Sequence, residues 1–161
     1  MTRLWGVITL RLANADIVPL DYRAYAERLR EFATELMDRA SPRDRDALRL
    51  LPVAIDRFAR AAGAMSARVD AVLAGSPPDV RTGLAFDRAL MQAERALVDP
   101  GGIPGRPWYR HLIYAPKPTY APEVLPGVAE AIDAGDQPRI VEQVTRLVAA
   151  LDRAAAALTT R

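Results

Sequence analysis

The sequence DPGGIPGRPWYRHLIYAP, at residues 99–116, separates two parts of the chain that are strongly helical. It is too rich in proline and glycine to form a helix, yet it holds the single histidine of the chain, three aromatic residues and two arginines. Connections longer than about 12–15 residues are uncommon and are usually either functional or disordered. Because aromatic residues argue against disorder, the stretch predicts a long, ordered and functional loop.

Apolar residues on both sides of this loop recur every three or four positions, which is the period of an amphipathic helix. One such stripe covers residues 22–36, a second covers 48–72, a third helix follows Asp79, and a final helix is expected over 138–159. A short helix fits Glu123–Ala134, ended by Gly135. The expected helix caps are Asp21, Ser41 and Asp79. The fold class predicted is an all-α, antiparallel helical bundle, with the loop between the third long helix and the C-terminal helices.

Two local features leave alternatives open. The apolar residues 3–14 favour a helix, with a strand as the rival interpretation. Pro52 falls early in the second stripe, so that helix either begins there or is kinked. No strand pattern outcompetes the helices elsewhere in the chain.

Composition excludes several classes of function. The 161 residues predict a single domain, 1–161. The 22 basic and 20 acidic residues are interleaved, which is typical of solvated helix faces and not of a nucleic-acid-binding surface. The chain has no cysteine, so disulfides, thiolate catalysis and cysteine-based zinc sites are excluded. No apolar run approaches the roughly 18 residues of a membrane helix, so no membrane contact is expected from this segment.

Four segments carry a resemblance to a known family, and the last two of them match it in order and spacing. They are LANADIVPLDYRAYA at 12–26, FDRALMQAERALVDP at 86–100, RPWYRHLIYAP at 106–116 and YAPEVLPG at 120–127. Together they resemble the transferrin receptor-like dimerisation domain. That domain is the C-terminal helical module of glutamate carboxypeptidase II-type zinc peptidases (family M28) and of transferrin receptors. The resemblance covers nearly the whole chain, and its loop motifs are the specific part.

The resemblance implies a homodimer and an adjoining M28 peptidase domain as partners. In such peptidases two zinc ions are held by the catalytic domain, and this chain has a single histidine and no cluster at metal-binding spacing. The chain therefore resembles the C-terminal module without its catalytic domain, with residues 1–20 as the joining helix and linker. No cofactor is expected in the chain itself, and zinc is expected in the parent. A natural stand-alone protein is the alternative.

The resemblance also implies a role for the loop at residues 100–122, which would help to complete the substrate pocket of the catalytic domain. Tyr120 matches the tyrosine that binds a substrate carboxylate there, and a phenol is suited to that hydrogen bond. The family has a lysine before this tyrosine, whereas this chain has Thr119 and a nearby Lys117. This difference from the family pattern leaves glutamate specificity without support from the motif, and a packing role for Tyr120 and a solvated Lys117 are the alternatives.

The remaining residues of the loop are expected to be structural. Trp108, Tyr109, His111 and Tyr114 are interpreted as anchors that hold the loop on the bundle. His111 has no partner carboxylate or nucleophile nearby in sequence, so no catalytic residue and no metal ligand is assigned to this chain.

The chain alone is expected not to be an enzyme, whereas the parent is expected to be a zinc carboxypeptidase or aminopeptidase that is secreted, periplasmic or membrane-anchored. The alternatives are a non-enzymatic receptor or interaction module of the transferrin-receptor type, and a free-standing enzyme that uses His111, Tyr120 and Lys117.

Overall fold

The structure, a computed structural model, describes residues 2–116 and 122–159. These residues form seven helices and one small antiparallel sheet, which confirms the predicted all-α bundle. In chain order the elements are α1 (Thr2–Ala13), α2 (Tyr22–Arg39), α3 (Pro42–Leu48), α4 (Leu50–Leu73), α5 (Val80–Arg95), β1 (Tyr114–Ala115), β2 (Glu123–Val124), α6 (Pro126–Asp133) and α7 (Gln137–Thr159).

Side-chain caps set the starts of three helices where the sequence predicts them. The carboxylate of Asp21 accepts a hydrogen bond from the backbone amide of Arg23, at 2.9 Å. Ser41 and Asp79 cap α3 and α5 in the same way. Each cap satisfies a backbone amide that has no partner within its own helix, which typically stabilises the helix by about 1 kcal/mol.

Both open alternatives near the helix starts are resolved. Residues 2–13 form a helix and not a strand, although none of them is buried. Pro52 lies in the first turn of α4, where its missing amide hydrogen breaks no bond within the helix.

The core lies between α4 and α7, with Phe58 of α4 completely buried in it. The helix α2 packs on α4, and α3, α5 and α6 pack on α7. Neighbours α2 and α4 are antiparallel, as are α5 and α7. In contrast, α4 and α7 run in the same direction. Arg57 of α4 pairs with Asp152 of α7. Seven residues further along each helix, Ala64 of α4 and Thr159 of α7 again lie close together, in one hollow.

The short helix predicted over Glu123–Ala134 is wrong at its start. Glu123 and Val124 form β2, and α6 begins only at Pro126. Leu125, between them, has a positive φ of 47° and is buried. A proline disfavours helical geometry in the residue before it, so the helix cannot extend back through Leu125. The end of this helix agrees with expectation, since Gly135 has a φ of 65°, which glycine adopts readily.

Candidate functional site

The loop after α5 folds back on itself along its two sides. The amide of Leu112 donates to the carbonyl of Leu97 at 3.1 Å, and the amide of Asp99 donates to the carbonyl of Arg110 at 2.9 Å. Leu97 and Leu112 are both buried, as is Ile113. Paired backbone groups and buried apolar side chains therefore fix both sides of the loop on the bundle.

The tip of the loop is a tight turn that depends on glycine. Asp99 accepts a hydrogen bond from the amide of Gly101 at 2.8 Å, and the amide of Ile103 donates to the carbonyl of Tyr109 at 2.9 Å. Gly102 has a φ of 68°, and a Cβ atom there would overlap the backbone of Pro107. Only glycine meets both demands, because it lacks a side chain and tolerates positive φ.

His111 is held by hydrogen bonds at both ring nitrogens. Its Nδ1 accepts from the amides of Ile113 and Tyr114, at 3.2 and 3.3 Å. Because Nδ1 is an acceptor, the neutral ring carries its proton on Nε2, which lies 3.1 Å from Oε1 of Glu94 on α5. Both nitrogens are thus engaged in holding the loop, which suits a structural role and leaves neither free to act as a catalytic base.

Tyr114 joins the loop to α2 through aromatic contacts. Its ring meets those of Tyr25 and Phe32 edge-on, at centroid distances of 6.3 and 5.8 Å, and it stacks on His111 at 6.2 Å. Edge-to-face aromatic pairs add about 0.5–1.5 kcal/mol to their burial. The aromatic cluster of Tyr114, Tyr25, Phe32 and His111 therefore connects the loop with α2.

The charge of Glu94 also acts on two tyrosines of α2. Burial, together with the negative charge of Glu94, raises the pKa of Tyr22 to about 12. The same two causes, in the same order, raise the pKa of Tyr25. The hydroxyl of Tyr22 donates to the carbonyl of Leu90 at 2.7 Å, so the phenol is bound in its protonated form. The hydroxyl of Tyr22 is consequently a structural donor at neutral pH, whereas the buried hydroxyl of Tyr25 has no hydrogen-bond partner among the described residues.

Arg106 ties the loop to the C-terminal part of the chain. It donates to Glu123 at 3.1 Å, to Glu130 of α6 and to the carbonyl of Pro116 at 3.4 Å. Arg139 of α7 also pairs with Glu130, at 3.1 Å. Only 8% of Glu123 is exposed, so this charge network is largely shielded from water. Arg106 thus pairs with acidic residues of its own chain.

The two short strands pair with each other on either side of residues 117–121. Tyr114 pairs with Val124 and Ala115 with Glu123, in antiparallel register. Residues 117–121 connect these strands, so the predicted substrate-binding residues Lys117 and Tyr120 lie outside the described residues. What the structure establishes is that both ends of this segment are fixed, by strand pairing and by Arg106.

The four predicted loop anchors differ in their surroundings. His111 and Tyr114 make the contacts described above, and Tyr109 is half-buried, with its backbone in the turn. Trp108 differs from the expectation, because 75% of it is exposed and its ring does not pack on the bundle.

Sequence reasoning missed Glu94 and Glu130 as partners of the loop. The available signal was the presence of carboxylates on the helices on either side of a loop that contains arginine and histidine.

Among the described residues, no group of three or more His, Asp or Glu side chains is arranged to hold a metal ion. None of the described helices is long and apolar enough to span a membrane.

The first helix offers a different kind of surface. No residue of α1 is buried, and its exposed large apolar residues include Trp5, of which 66% is exposed. The linker after it is fixed, since Ile17 is buried and the amide of Val18 donates to Asp87 at 2.8 Å. The backbone of Asp16 passes so close to Gly83 that a Cβ atom there would lie 2.8 Å from its carbonyl oxygen. The apolar side chains of α1 are thus exposed, while the linker that follows the helix is held on α5.

The model of the transferrin receptor-like dimerisation domain matches residues 45–159, so the chain belongs to that family. It is 30% identical to a probable glutamate carboxypeptidase of Zea mays over 98% of the chain and 24% of that relative. It is 36% identical to a probable glutamate carboxypeptidase of Arabidopsis thaliana over 83% of the chain and 19% of the relative.

An aminopeptidase of Rattus norvegicus is 29% identical over 98% of the chain and 22% of its own length. The chain thus spans about a quarter or less of the relatives that it matches. The family assignment places this chain among the dimerisation domains of glutamate carboxypeptidase-like peptidases.

Proposed function

We propose that this domain mediates homodimerisation of a zinc-dependent M28 peptidase, and that residues 100–122 help to complete the substrate pocket of the adjoining catalytic domain. The observation that carries the proposal is the family match over residues 45–159, within a chain that corresponds to only part of its peptidase relatives. Zinc and the catalytic residues would belong to the catalytic domain. The chain alone is expected to hydrolyse no peptide.

The exposed helix α1 supports an adjoining domain as a partner. Its apolar side chains include Leu4, Trp5, Ile8 and Leu12, which follow a helical spacing along one face. Apolar surface of this kind is unfavourable in water and usually marks a contact. A catalytic domain that covers this face would be held rigidly, because the linker that follows α1 is fixed on α5.

The charge network around Arg106 supports the pocket role of the loop. Arg106, Glu123 and Glu130 fix both ends of the segment that carries Lys117 and Tyr120. A substrate-binding group acts best on a support that does not move, because the ordering cost is met before the ligand arrives. In the proposed pocket, the phenol of Tyr120 and the ammonium of Lys117 would bind a substrate carboxylate.

Sedimentation equilibrium of the 161-residue chain, over a concentration series, tests the dimer. A mass twice that of the 17.6 kDa chain is expected. The double variant Trp5→Asp with Ile8→Asp distinguishes the dimer contact from the surface of α1, which is proposed to contact the adjoining domain. This variant should still dimerise. A strictly monomeric wild-type chain would contradict autonomous dimerisation, and a variant that alone fails to dimerise would place the dimer contact on α1.

The pocket role is tested in the peptidase that contains this domain. Tyr120→Phe should raise KM for a substrate with a carboxy-terminal acidic residue and leave kcat nearly unchanged, because a binding contact is lost and not a chemical group. Tyr109→Phe is the matched control, since Tyr109 lies in the turn of the loop. An unchanged KM for the Tyr120 variant would contradict the pocket role without affecting the dimer.

A further inference from the structure

Trp108 is the aromatic residue of the long loop that faces water. Its exposure is 75%, whereas Tyr109, His111 and Tyr114 are half-buried. Pro107 beside it is exposed as well, so this turn of the loop presents a small apolar surface. A solvated indole gains nothing from its large apolar area, and tryptophan is among the residues most enriched at the energetic centres of interfaces.

The backbone that carries Trp108 is fixed, so its exposure is not the result of a loose loop. The amide of Arg106 donates to the carbonyl of Ile103 at 2.8 Å, and the amide of Tyr109 donates to the carbonyl of Arg106 at 2.9 Å. Ile103 is buried, which holds the turn on the bundle. A contact residue on a rigid support loses little conformational entropy when a partner binds.

Arg106 joins this turn to the base of the segment 117–121. Its backbone lies two residues from Trp108, so the two Cα atoms are at most about 7.6 Å apart. Its guanidinium donates to the carbonyl of Pro116 at 3.4 Å and to Glu123 at 3.1 Å, on either side of that segment. A shift of the turn is therefore passed through one side chain to both ends of the segment.

The same connection argues for the adjoining catalytic domain as the partner of Trp108. A domain whose pocket receives residues 117–121 has to reach Pro116 and Glu123, and the turn lies one arginine side chain away from them. The 161 residues correspond to 24% of the Zea mays relative, so a protein of that length has ample chain for such a domain. A second copy at this place would compete with the catalytic domain for the surface beside the segment.

Charge defines the surface that fits the turn. Arg110 is exposed and forms no ion pair with any described side chain, so it adds positive charge beside the indole. The complementary surface is an apolar recess with acidic groups at its rim.

We propose that Trp108 contacts the adjoining catalytic domain and thereby positions the loop for the substrate pocket. This inference rests on the proposed function, because it takes residues 100–122 to face that domain. Trp108 is a positioning residue that touches no substrate. Its indole fills the recess, and the turn then holds Arg106, and with it both ends of the segment 117–121, in place.

Hydroxyl-radical footprinting, resolved by mass spectrometry, tests the contact by measuring the oxidation rate of Trp108. In the 161-residue chain this rate should be high at every protein concentration. In the peptidase that contains this domain it should be at least about fivefold lower, because a desolvated indole is shielded. Equal rates in the two proteins overturn the proposal. Protection that develops in the 161-residue chain as its concentration rises also overturns it, because a second copy would then cover Trp108.

Kinetics of the same peptidase test the positioning role. Trp108→Ala should raise KM for a substrate with a carboxy-terminal acidic residue by at least about fivefold, with little change in kcat. Trp108→Phe keeps an aromatic ring and should restore most of the affinity. The increase should be smaller in a protein that already carries Tyr120→Phe, because Trp108 acts through the segment that holds Tyr120.

Val80→Ala is the matched control, since Val80 is exposed to 80% at the start of α5, about 22 Å from the end where the loop begins. It should leave KM within about twofold. In the 161-residue chain, Trp108→Ala should lower the melting temperature by no more than about 2 °C, because the side chain is solvated. A larger fall would show that the indole supports the fold of the loop itself, and it would overturn the proposal.

The two proposals fail in different ways. A raised KM for Tyr120→Phe with an unchanged KM for Trp108→Ala overturns the positioning role and leaves the pocket intact. An unchanged KM for both variants overturns the pocket role of residues 100–122 and this inference with it.

Discussion

Nε2 of His111 lies 3.1 Å from Oε1 of Glu94, and this contact links the long loop to α5. The other ring nitrogen accepts from two backbone amides of the same loop. One side chain thus satisfies two donors that would otherwise lack a partner and also attaches them to a helix. Because the ring acts as an acceptor at Nδ1, its position depends on the neutral tautomer.

His111→Ala should destabilise the chain by about 2 kcal/mol, because it leaves the amides of Ile113 and Tyr114 without their acceptor. For a domain of this size, that corresponds to a melting temperature lower by about 4–8 °C. His111→Asn is the matched variant, since its amide oxygen can still accept, and it should lose less. Differential scanning calorimetry measures both. An alanine variant as stable as the wild type would show that these bonds contribute nothing.

Stability should fall in alkaline solution because of Tyr22. Its pKa lies at about 12 in the folded chain, against an ordinary value of 10.0. The folded state therefore holds the phenol proton more tightly than the unfolded state. The resulting stabilisation, of about 2 kcal/mol, is fully present below pH 10 and is lost as the pH rises from 10 to 12. Tyr25, whose pKa is also raised, contributes in the same direction.

Urea unfolding of wild type and Tyr22→Phe, from about pH 9 to about pH 11.5, measures this effect. The phenylalanine variant should lose about 1 kcal/mol at pH 9, since the bond to the carbonyl of Leu90 is absent. Its stability should then fall less steeply with pH than that of the wild type. Equal slopes in the two proteins would contradict the role of Tyr22.

Arg106→Ala should cost about 1–3 kcal/mol, because it removes the donor shared by Glu123, Glu130 and the carbonyl of Pro116. Arg110→Ala is the matched control, since Arg110 is an exposed arginine of the same loop, and its change should stay within about 0.5 kcal/mol. Chemical denaturation measures the free energy of unfolding of both. Hydrogen exchange of the Val124 region should also increase in the Arg106 variant alone. Equal losses in the free energy of unfolding of the two variants would contradict a stabilising role for the charge network around Arg106.

The helices could be predicted from sequence because their signals are local. A cap such as Asp79 lies three residues from the amide that it binds, and an apolar stripe repeats within each turn. The strand at Glu123–Val124 could not be predicted in this way, since it depends on pairing with Tyr114 and Ala115 across the intervening segment. A short helix was the better local interpretation, and the long-range pairing overrode it.

The loop shows the same limit. Composition predicts an ordered loop, but the charge partners of residues 99–116 lie on α5 and α6 and are not identified by the loop's own sequence. Nor does composition distinguish an anchoring aromatic residue from an exposed one. Trp108 and Tyr114 are six residues apart in one loop, and only Tyr114 packs in the aromatic cluster.

Gly102→Ala should disrupt the turn of the loop, whereas Gly105→Ala should not. Both residues have positive φ, 68° and 81°, so each substitution bears about 1 kcal/mol of backbone strain. Gly105 has open space where a Cβ would be placed, but a Cβ on Gly102 would meet the backbone of Pro107. The loss of stability in Gly105→Ala therefore measures the backbone strain alone. The additional loss in Gly102→Ala, expected at about 1–3 kcal/mol, measures the steric overlap with Pro107. Thermal unfolding compares the two, and equal losses would show that the turn moves to make room at Gly102.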